Sequence, residues 1–141
     1  MSAFSDFLET GILDHTLRGN TLPTPSTIYL ALFTTDPTDA GTGLEVTDSA
    51  YVRQDAANGG TISSGWTAPT DSSAGGSKST NAKVLQFPPI ADDSTTVTHY
   101  ALYDSQIGGN LLYHGGFTVS KTLDQNDVLS IDIGGLQIIL R

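Results

Sequence analysis

The stretch from Thr95 to Val119 constrains the fold more than any other part of the chain. Two runs rich in β-branched and aromatic residues, 95–103 and 111–119, flank a polar connector that contains adjacent glycines. This composition is typical of a long antiparallel hairpin, in which the connector forms the turn. The sequence therefore predicts a hairpin around which the rest of the chain packs.

Both faces of the first strand of this hairpin carry apolar side chains. Because side chains alternate along a strand with period two, Val97, Ala101 and Tyr103 are predicted on one face. Tyr100 and Leu102 then lie on the other face. Strands that are apolar on both faces are typical of positions buried on two sides. We therefore expect the hairpin to be central in its sheet.

The rest of the chain is dominated by short β-rich runs between turn residues. Only 15% of its 141 residues are charged, and Ser, Thr and Gly in their place favour strands and turns over surface helices. A second two-sided apolar strand is predicted over residues 26–34. About eight short strands predict a mainly all-β fold, an antiparallel β-sandwich with a jelly roll as the alternative topology. The length and the lack of an internal repeat predict a single domain over residues 1–141.

One amphipathic helix is predicted over residues 2–18, at the start of the chain. Ser2 or Ser5 can cap its first turn, and Gly19 suits the left-handed position that follows a helix. Apolar residues recur at three- and four-residue spacing along one face. A lone helix beside a β domain serves either as a lid over one sheet or as a docking element. For docking, the predicted partner-binding residues are Phe4, Phe7, Leu8, Ile12 and Arg18.

Residues 55–81 are rich in Gly, Ser, Thr, Ala and Asp and are predicted to form one long loop. Loops of this length are uncommon, and they are either functional or mobile. Both alternatives stay open. Trp66 is the candidate for an aromatic contact with a surface ligand, and Tyr51 and Tyr103 are weaker candidates for the same role.

The charge of the chain argues against two classes of partner. Its formal net charge is −9, and its six Lys and Arg residues form no cluster. Nucleic-acid binding needs several basic contacts to phosphates, and anionic membranes attract basic segments. We therefore expect no nucleic-acid partner and no membrane partner. The chain has no cysteine, which excludes disulfides and thiolate metal sites.

No catalytic residue, metal site or cofactor site is predicted. His99 and His114 could approach each other across the hairpin, but two histidines without an assigned carboxylate do not make a zinc site. Asp residues at four loop positions are better explained by Asx-turns than by calcium binding. The chain has no Gly-x-Ser-x-Gly elbow and no phosphate-binding glycine loop before a helix. The loop residues concerned are Asp36, Asp39, Asp92 and Asp93.

Several stretches together resemble a known protein family. They are Phe7–Gly19, Ser26–Thr38, Tyr51–Gln54, Val97–Asp104 and Gly108–Gly115. These stretches are similar to small virion proteins of tailed bacteriophages and prophages. The family is commonly labelled tail fibre protein, and similar proteins serve as capsid cement, decoration or head-spike-base proteins. The resemblance spans nearly the whole chain and thins across residues 55–81.

The resemblance implies a structural role on the exposed surface of a virion, with no enzymatic activity. The first hypothesis is a capsid decoration or cement protein that binds the major capsid protein lattice and stabilises the head. Such a protein binds a repeated lattice, so a homo-oligomer is expected, with a trimer favoured. The alternative is a tail fibre or baseplate-associated protein that contributes to host-surface binding. An enzyme acting on the host envelope is the third hypothesis, although the family has no catalytic residues to carry over.

Overall fold

The fold is mainly antiparallel β-sheet with a helix near the start of the chain, which confirms the predicted fold class. The computed structural model describes residues 2–57 and 62–141. The elements in those ranges are β1 (Ser2–Phe4), α1 (Asp6–Arg18), β2 (Tyr29–Phe33), β3 (Gln54–Asp55), α2 (Ile62–Gly65), β4 (Thr70–Asp71), β5 (Ser77–Thr80), β6 (Leu85–Gln86), β7 (Thr95–Tyr103), β8 (Leu111–Leu123), β9 (Ser130–Ile131) and β10 (Gln137–Leu140).

The predicted hairpin is formed by β7 and β8 and lies at the centre of the large sheet. This sheet has five antiparallel strands in the order β1-β8-β7-β2-β3, so β7 is its middle strand. Ala101 lies opposite His114 and Leu102 lies opposite Tyr113 in the hairpin. Two smaller sheets have the orders β10-β5-β4 and β6-β9. The expected central position of the hairpin is confirmed.

Apolar side chains are buried on both faces of the large sheet. On one face, a main core joins Leu30 and Leu102 of the large sheet to Leu85 of β6 and Ile138 of β10. The large sheet therefore packs against the two small sheets in a layered arrangement. Sheets of five, three and two strands, among the described residues, differ from the paired four-stranded sheets of a jelly roll. The second core, on the other face, consists of Ala31, Phe33, Ala101, Tyr103 and Leu111.

The predicted face of Val97 is wrong. Val97 is fully buried in the main core, whereas Ala101 and Tyr103 belong to the second core. The pairing of β7 with β8 shifts between Val97 and His99, where β8 contains extra residues. The ladder is therefore irregular at this point, and the parts of β7 on either side of it do not share one alternation of faces. Strict alternation therefore fails at this one position of the hairpin.

The predicted start of the first helix is also wrong, because Ser2–Phe4 forms a strand. Ala3 lies opposite His114, so this segment extends the large sheet at the free edge of β8. Ser5 is extended, with φ −83° and ψ 161°, and its side chain accepts a hydrogen bond from the Leu8 backbone N–H. It is therefore the N-cap, and the helix begins only at Asp6. The predicted end is confirmed by Gly19, which has φ 72°.

The two ends of the described chain lie side by side. The Ser2 hydroxyl donates a hydrogen bond to the Ile139 carbonyl at 2.9 Å and accepts one from the Ile139 N–H at 2.8 Å. One side chain therefore satisfies both backbone groups of a residue in β10.

Much of the segment predicted as one long loop over residues 55–81 has regular structure. The helix α2 follows residues 58–61, which lie outside the described residues. Next, β4 and β5 form a small hairpin whose turn contains Gly75 and Gly76, at φ 88° and 74°. These positive φ angles suit glycine, which explains the adjacent glycines in a stretch of low hydrophobicity.

Candidate functional site

The apolar face of α1 is only partly available to a partner. Leu8 is buried, and Phe7 and Ile12 are half-buried. Leu13 and Leu17, on another part of the helix surface, are 58% and 78% exposed. Part of the predicted docking face therefore attaches the helix to the sheet, and a different pair of leucines faces solvent.

The two other predicted partner-binding residues lie outside this face. Phe4 is on β1, and its ring centroid lies 5.7 Å from that of Tyr113. Arg18 is exposed at the end of α1, where it forms an ion pair with Asp14 at 3.4 Å. A role for these residues in binding a partner stays a prediction.

The start of α1 is held firmly against the sheet and the neighbouring loop. The Ser5 N–H donates to the Leu112 carbonyl at 3.1 Å, and the Ser5 hydroxyl donates to the Leu111 carbonyl. The Asp6 N–H donates to the Asp39 carbonyl at 3.0 Å. The Asp39 carboxylate lies 2.8 Å from Nε2 of the buried His114. The helix is therefore positioned by backbone contacts as well as by its apolar face.

The histidines do not assemble a metal site. His114 has Asp39 at Nε2 and Asp36 at Nδ1, 3.6 Å away, so its two ring nitrogens face different carboxylates. His99 lies opposite Gly116 and contacts the Thr98 hydroxyl at 2.8 Å. It therefore does not pair with His114 across the hairpin. Within residues 2–57 and 62–141, no group of three or more His, Cys, Asp or Glu could hold a metal ion.

The loop carboxylates bind backbone groups of neighbouring loops. Asp36 accepts a hydrogen bond from the Thr38 N–H at 2.9 Å, which is an Asx-turn as predicted. Asp48 was not singled out from the sequence. It accepts hydrogen bonds from the backbone N–H groups of Asp92, Ala50 and Ala91, and these bonds lower the pKa of Asp48. Its carboxylate joins two loops that are distant in sequence.

Arg53 is a largely buried cation that contacts Glu45, the Tyr103 ring and the loop between β7 and β8. Its side chain is 10% exposed. Nε donates to Glu45 Oε1 at 2.8 Å and Nη2 donates to Oε2 at 2.8 Å, so the ion pair is bidentate. The guanidinium also lies over the Tyr103 ring. Glu45 Oε1 accepts a further hydrogen bond, at 2.8 Å, from the hydroxyl of Tyr51.

The remaining donor of Arg53 holds the loop that connects β7 to β8. Nη1 donates to the carbonyls of Ser105, at 3.1 Å, and Gly108, at 2.8 Å. Between these two anchored residues, Ile107 is 87% exposed. We refer to residues 104–110 as the hairpin loop. The loop presents a large apolar side chain to solvent on a backbone that Arg53 fixes on both sides.

Further hydrogen bonds inside the hairpin loop reduce its freedom. The two carboxylate oxygens of Asp104 accept from the backbone and side-chain N–H groups of Asn110, at 2.7 and 2.8 Å. The Ser105 hydroxyl donates to the Ile107 carbonyl at 2.9 Å. At Gly109, φ is 78° and an added Cβ would lie 2.5 Å from Asp104 Oδ1, so a larger residue does not fit. The loop is therefore an ordered structure.

Trp66 lies in an apolar cavity of about 470 Å³ next to the main core. Its Nε1 is buried and has no hydrogen-bond partner among the described residues. Lys78 is the only charged residue that lines the cavity, and it forms no ion pair within the described part of the chain. We call this space the Trp66 cavity. Its apolar lining includes Ile28, Ile62, Leu102, Tyr113, Ile138 and Leu140.

The two weaker candidates for contact with a surface ligand, Tyr51 and Tyr103, are packed inside the fold. Tyr51 stacks on Phe87 with ring centroids 5.9 Å apart and donates its hydroxyl to Glu45. Tyr103 is 8% exposed and is covered by Arg53. Burial raises the pKa of both tyrosines. Both rings therefore belong to packed clusters, and a role for Trp66 in contacting a surface ligand stays a prediction.

Neither described helix is long and apolar enough to cross a bilayer.

Comparison with known proteins identifies the family. The family model of the Podophage GP4 fiber I protein gp80 matches residues 3–139. No curated protein matches the sequence. The match spans every described helix and strand apart from the first residue of β1 and the last residue of β10. The chain therefore belongs to this family of tailed-phage virion proteins, as its resemblance to such proteins predicted.

Proposed function

We propose that the chain is a structural component of a phage fibre and that it acts by binding other virion proteins rather than by catalysis. The family match over residues 3–139 is the observation that carries this proposal, because the matching family is described as a fibre protein. A fibre component is exposed on the particle, and it contributes to host-surface contact through the assembly that it supports.

The described surface is compatible with a binding role. The exposed apolar residues include Leu13 and Leu17 on α1 and Ile107 on the hairpin loop. The helix start and the loop are both fixed by hydrogen bonds to the sheet or to Arg53. Surfaces that are ordered before binding lose less conformational entropy when a partner docks.

The second candidate function is capsid decoration. In this case the chain binds the major capsid protein lattice as a homo-oligomer, with a trimer favoured because decoration proteins sit on symmetric positions. The half-exposed face of α1, with Phe7 and Ile12, is the candidate contact surface, together with the exposed Arg18 at the end of the helix. The observation that favours this alternative is the similarity of several sequence stretches to cement and decoration proteins.

Localisation on the particle separates the two candidates. Antibodies raised against the purified chain and coupled to gold should label fibres, with few copies per particle. Dense labelling over the whole head, with hundreds of copies, would instead identify a decoration protein and refute the fibre proposal. The copy number from quantitative mass spectrometry of purified virions provides an independent measure.

A matched pair of variants tests the contribution of α1. Replacing Phe7 and Ile12 by Ser should reduce incorporation into virions if this face binds a partner. The control is Val119→Ser, because Val119 is 64% exposed on β8 and lies far from α1 in sequence. Equal incorporation of both variants, at equal solubility, would show that α1 serves as a lid over the sheet.

A further inference from the structure

Ile107 has the properties of a preorganised anchor for a partner's pocket. It is a large apolar residue with 87% exposure. Its position is fixed by the two Arg53 hydrogen bonds to Ser105 and Gly108 and by the Asp104–Asn110 contacts. Interface residues that contribute most to affinity insert into well-packed pockets, and anchors held rigid in advance bind at a lower entropic cost.

The same chain contains an apolar pocket of suitable size. The Trp66 cavity, at about 470 Å³, falls within the usual range of about 300–1,000 Å³ for binding pockets. It is lined by Leu102 and Tyr113, which lie opposite each other at the end of the hairpin from which the loop emerges. The anchor and the cavity thus lie toward the same end of the large sheet.

The charges beside the two features are complementary. Lys78 lines the Trp66 cavity without an ion-pair partner in the described ranges. Asp104, three residues before Ile107, carries a carboxylate at the base of the hairpin loop. In a chain of net charge −9, a lysine that forms no ion pair with the described residues and lies beside an apolar cavity favours an apolar group accompanied by a carboxylate.

We propose that Ile107 of one copy inserts into the Trp66 cavity of a second copy, with Asp104 facing Lys78 across the interface. Ile107 is then buried, and the Trp66 cavity is then filled, only when copies of the chain associate. Such contacts close into a pair when they are reciprocal and into a ring when each copy contacts the next. The inference goes beyond the proposed function and does not depend on the position of the chain in the virion.

Purified full-length chain tests the proposal without virions, so failure of this test leaves the fibre assignment unaffected. Sedimentation velocity over a concentration series measures self-association. Tryptophan fluorescence, excited selectively at about 295 nm, reports on the cavity. Trp66 is the only tryptophan in the chain, so all of this emission comes from the cavity wall. We expect discrete oligomers to form as concentration rises, with a parallel change in Trp66 emission.

Variants of the anchor and of the cavity give the decisive comparison. Ile107→Ser should weaken self-association by at least about tenfold, as expected for a central anchor residue. Lys78→Glu should also weaken it, and Lys78→Arg should retain it. The matched control is Ile133→Ser, because Ile133 is 65% exposed and does not line the cavity. Thermal unfolding of each variant checks that it is folded.

Three results would overturn the proposal. The first is a wild-type chain that stays monomeric up to about 1 mM. At this concentration, all but the weakest self-association would be detected. The second is equal self-association of Ile107→Ser and the control. The third is self-association with no change in Trp66 emission. If the chain is monomeric and Ile107→Ser nevertheless loses incorporation into virions, the pocket that accepts Ile107 belongs to a different virion protein.

Discussion

The guanidinium carbon of Arg53 lies 3.7 Å from the centre of the Tyr103 ring. This contact places a cation over the second core, and the same side chain is bonded to Glu45 and to two carbonyls of the hairpin loop. One residue therefore connects an aromatic ring of the central strand, an acidic residue and an exposed loop. Cation–π contacts of this kind are strongest when the cation is partly desolvated.

Replacing Arg53 should destabilise the chain far more than replacing an exposed arginine. Arg53→Ala leaves Glu45, which is 27% exposed, without its ion-pair partner and with only the hydrogen bond from Tyr51 among the described residues. We expect the free energy of unfolding to fall by roughly 2–4 kcal/mol, after allowance for the solvent that reaches Glu45. Arg18→Ala, at 73% side-chain exposure, should change it by less than about 0.5 kcal/mol. Urea unfolding measures both, and equal losses would contradict the assigned role of Arg53.

Asn81 should be a second sensitive position. It is fully buried, its Nδ2 donates to the Lys83 and Asp132 carbonyls at 2.8 Å, and its Oδ1 accepts from the Leu136 N–H at 2.8 Å. Asn81→Ala leaves these backbone groups unpaired and should lower the free energy of unfolding by roughly 2–4 kcal/mol.

The exposed Asn20 supplies the control for Asn81. Asn20→Ala should leave the urea midpoint nearly unchanged, as is usual for surface substitutions. Similar midpoints for Asn81→Ala and wild type would refute the proposed importance of the Asn81 hydrogen bonds.

Ser5→Ala should loosen the start of α1. The Ser5 side chain accepts from the Leu8 N–H and donates to the Leu111 carbonyl, and both bonds disappear in the variant. We expect a loss of about 1–2 kcal/mol, in the upper range for N-cap substitutions. Amide hydrogen exchange should accelerate in α1 and stay unchanged in β7. Ser73→Ala, at an exposed turn, is the control, and uniform acceleration in both variants would argue against a local effect.

Stability should fall at alkaline pH, in part through Tyr100. Burial raises the pKa of Tyr100 to about 12 from its ordinary value of 10.0. A pKa raised on folding means that this contribution is complete below pH 10 and is lost as the pH rises toward 12. Tyr100→Phe cannot ionise, so the drop in the urea midpoint between pH 8 and pH 11 should be smaller than in wild type. An identical drop in both proteins would assign the effect to other groups.

The sequence was most informative where local pattern and burial agree. The two-sided apolar pattern of residues 95–103 predicted the middle strand of the large sheet, and turn chemistry located the hairpin loop. The position of Gly19 predicted the end of α1. These features depend on neighbouring residues, so the sequence alone contains the necessary information.

The features that sequence reasoning missed depend on distant partners. Residues 2–4 form a strand because the edge of β8, more than a hundred positions away, accepts them. The face of Val97 differs from strict alternation where the pairing of β7 with β8 shifts register. Arg53 contacts Gly108 across 55 positions. Arg53 is one of only six basic residues in the chain, which was the available signal, but only the fold shows which carboxylate it meets.

The pair of hydrogen bonds between Ser2 and Ile139 closes the chain on itself across 137 positions. These bonds connect the first and last strands directly. Together, two hydrogen bonds contribute only about 1–3 kcal/mol. A mechanical load applied to the two ends would act first on this pair of hydrogen bonds and on the β1–β8 and β10–β5 pairs that hold the ends in place. Because Ile138 and Leu140 of β10 line the Trp66 cavity, tension on the ends would deform the cavity, whereas the hairpin loop held by Arg53 would keep its geometry.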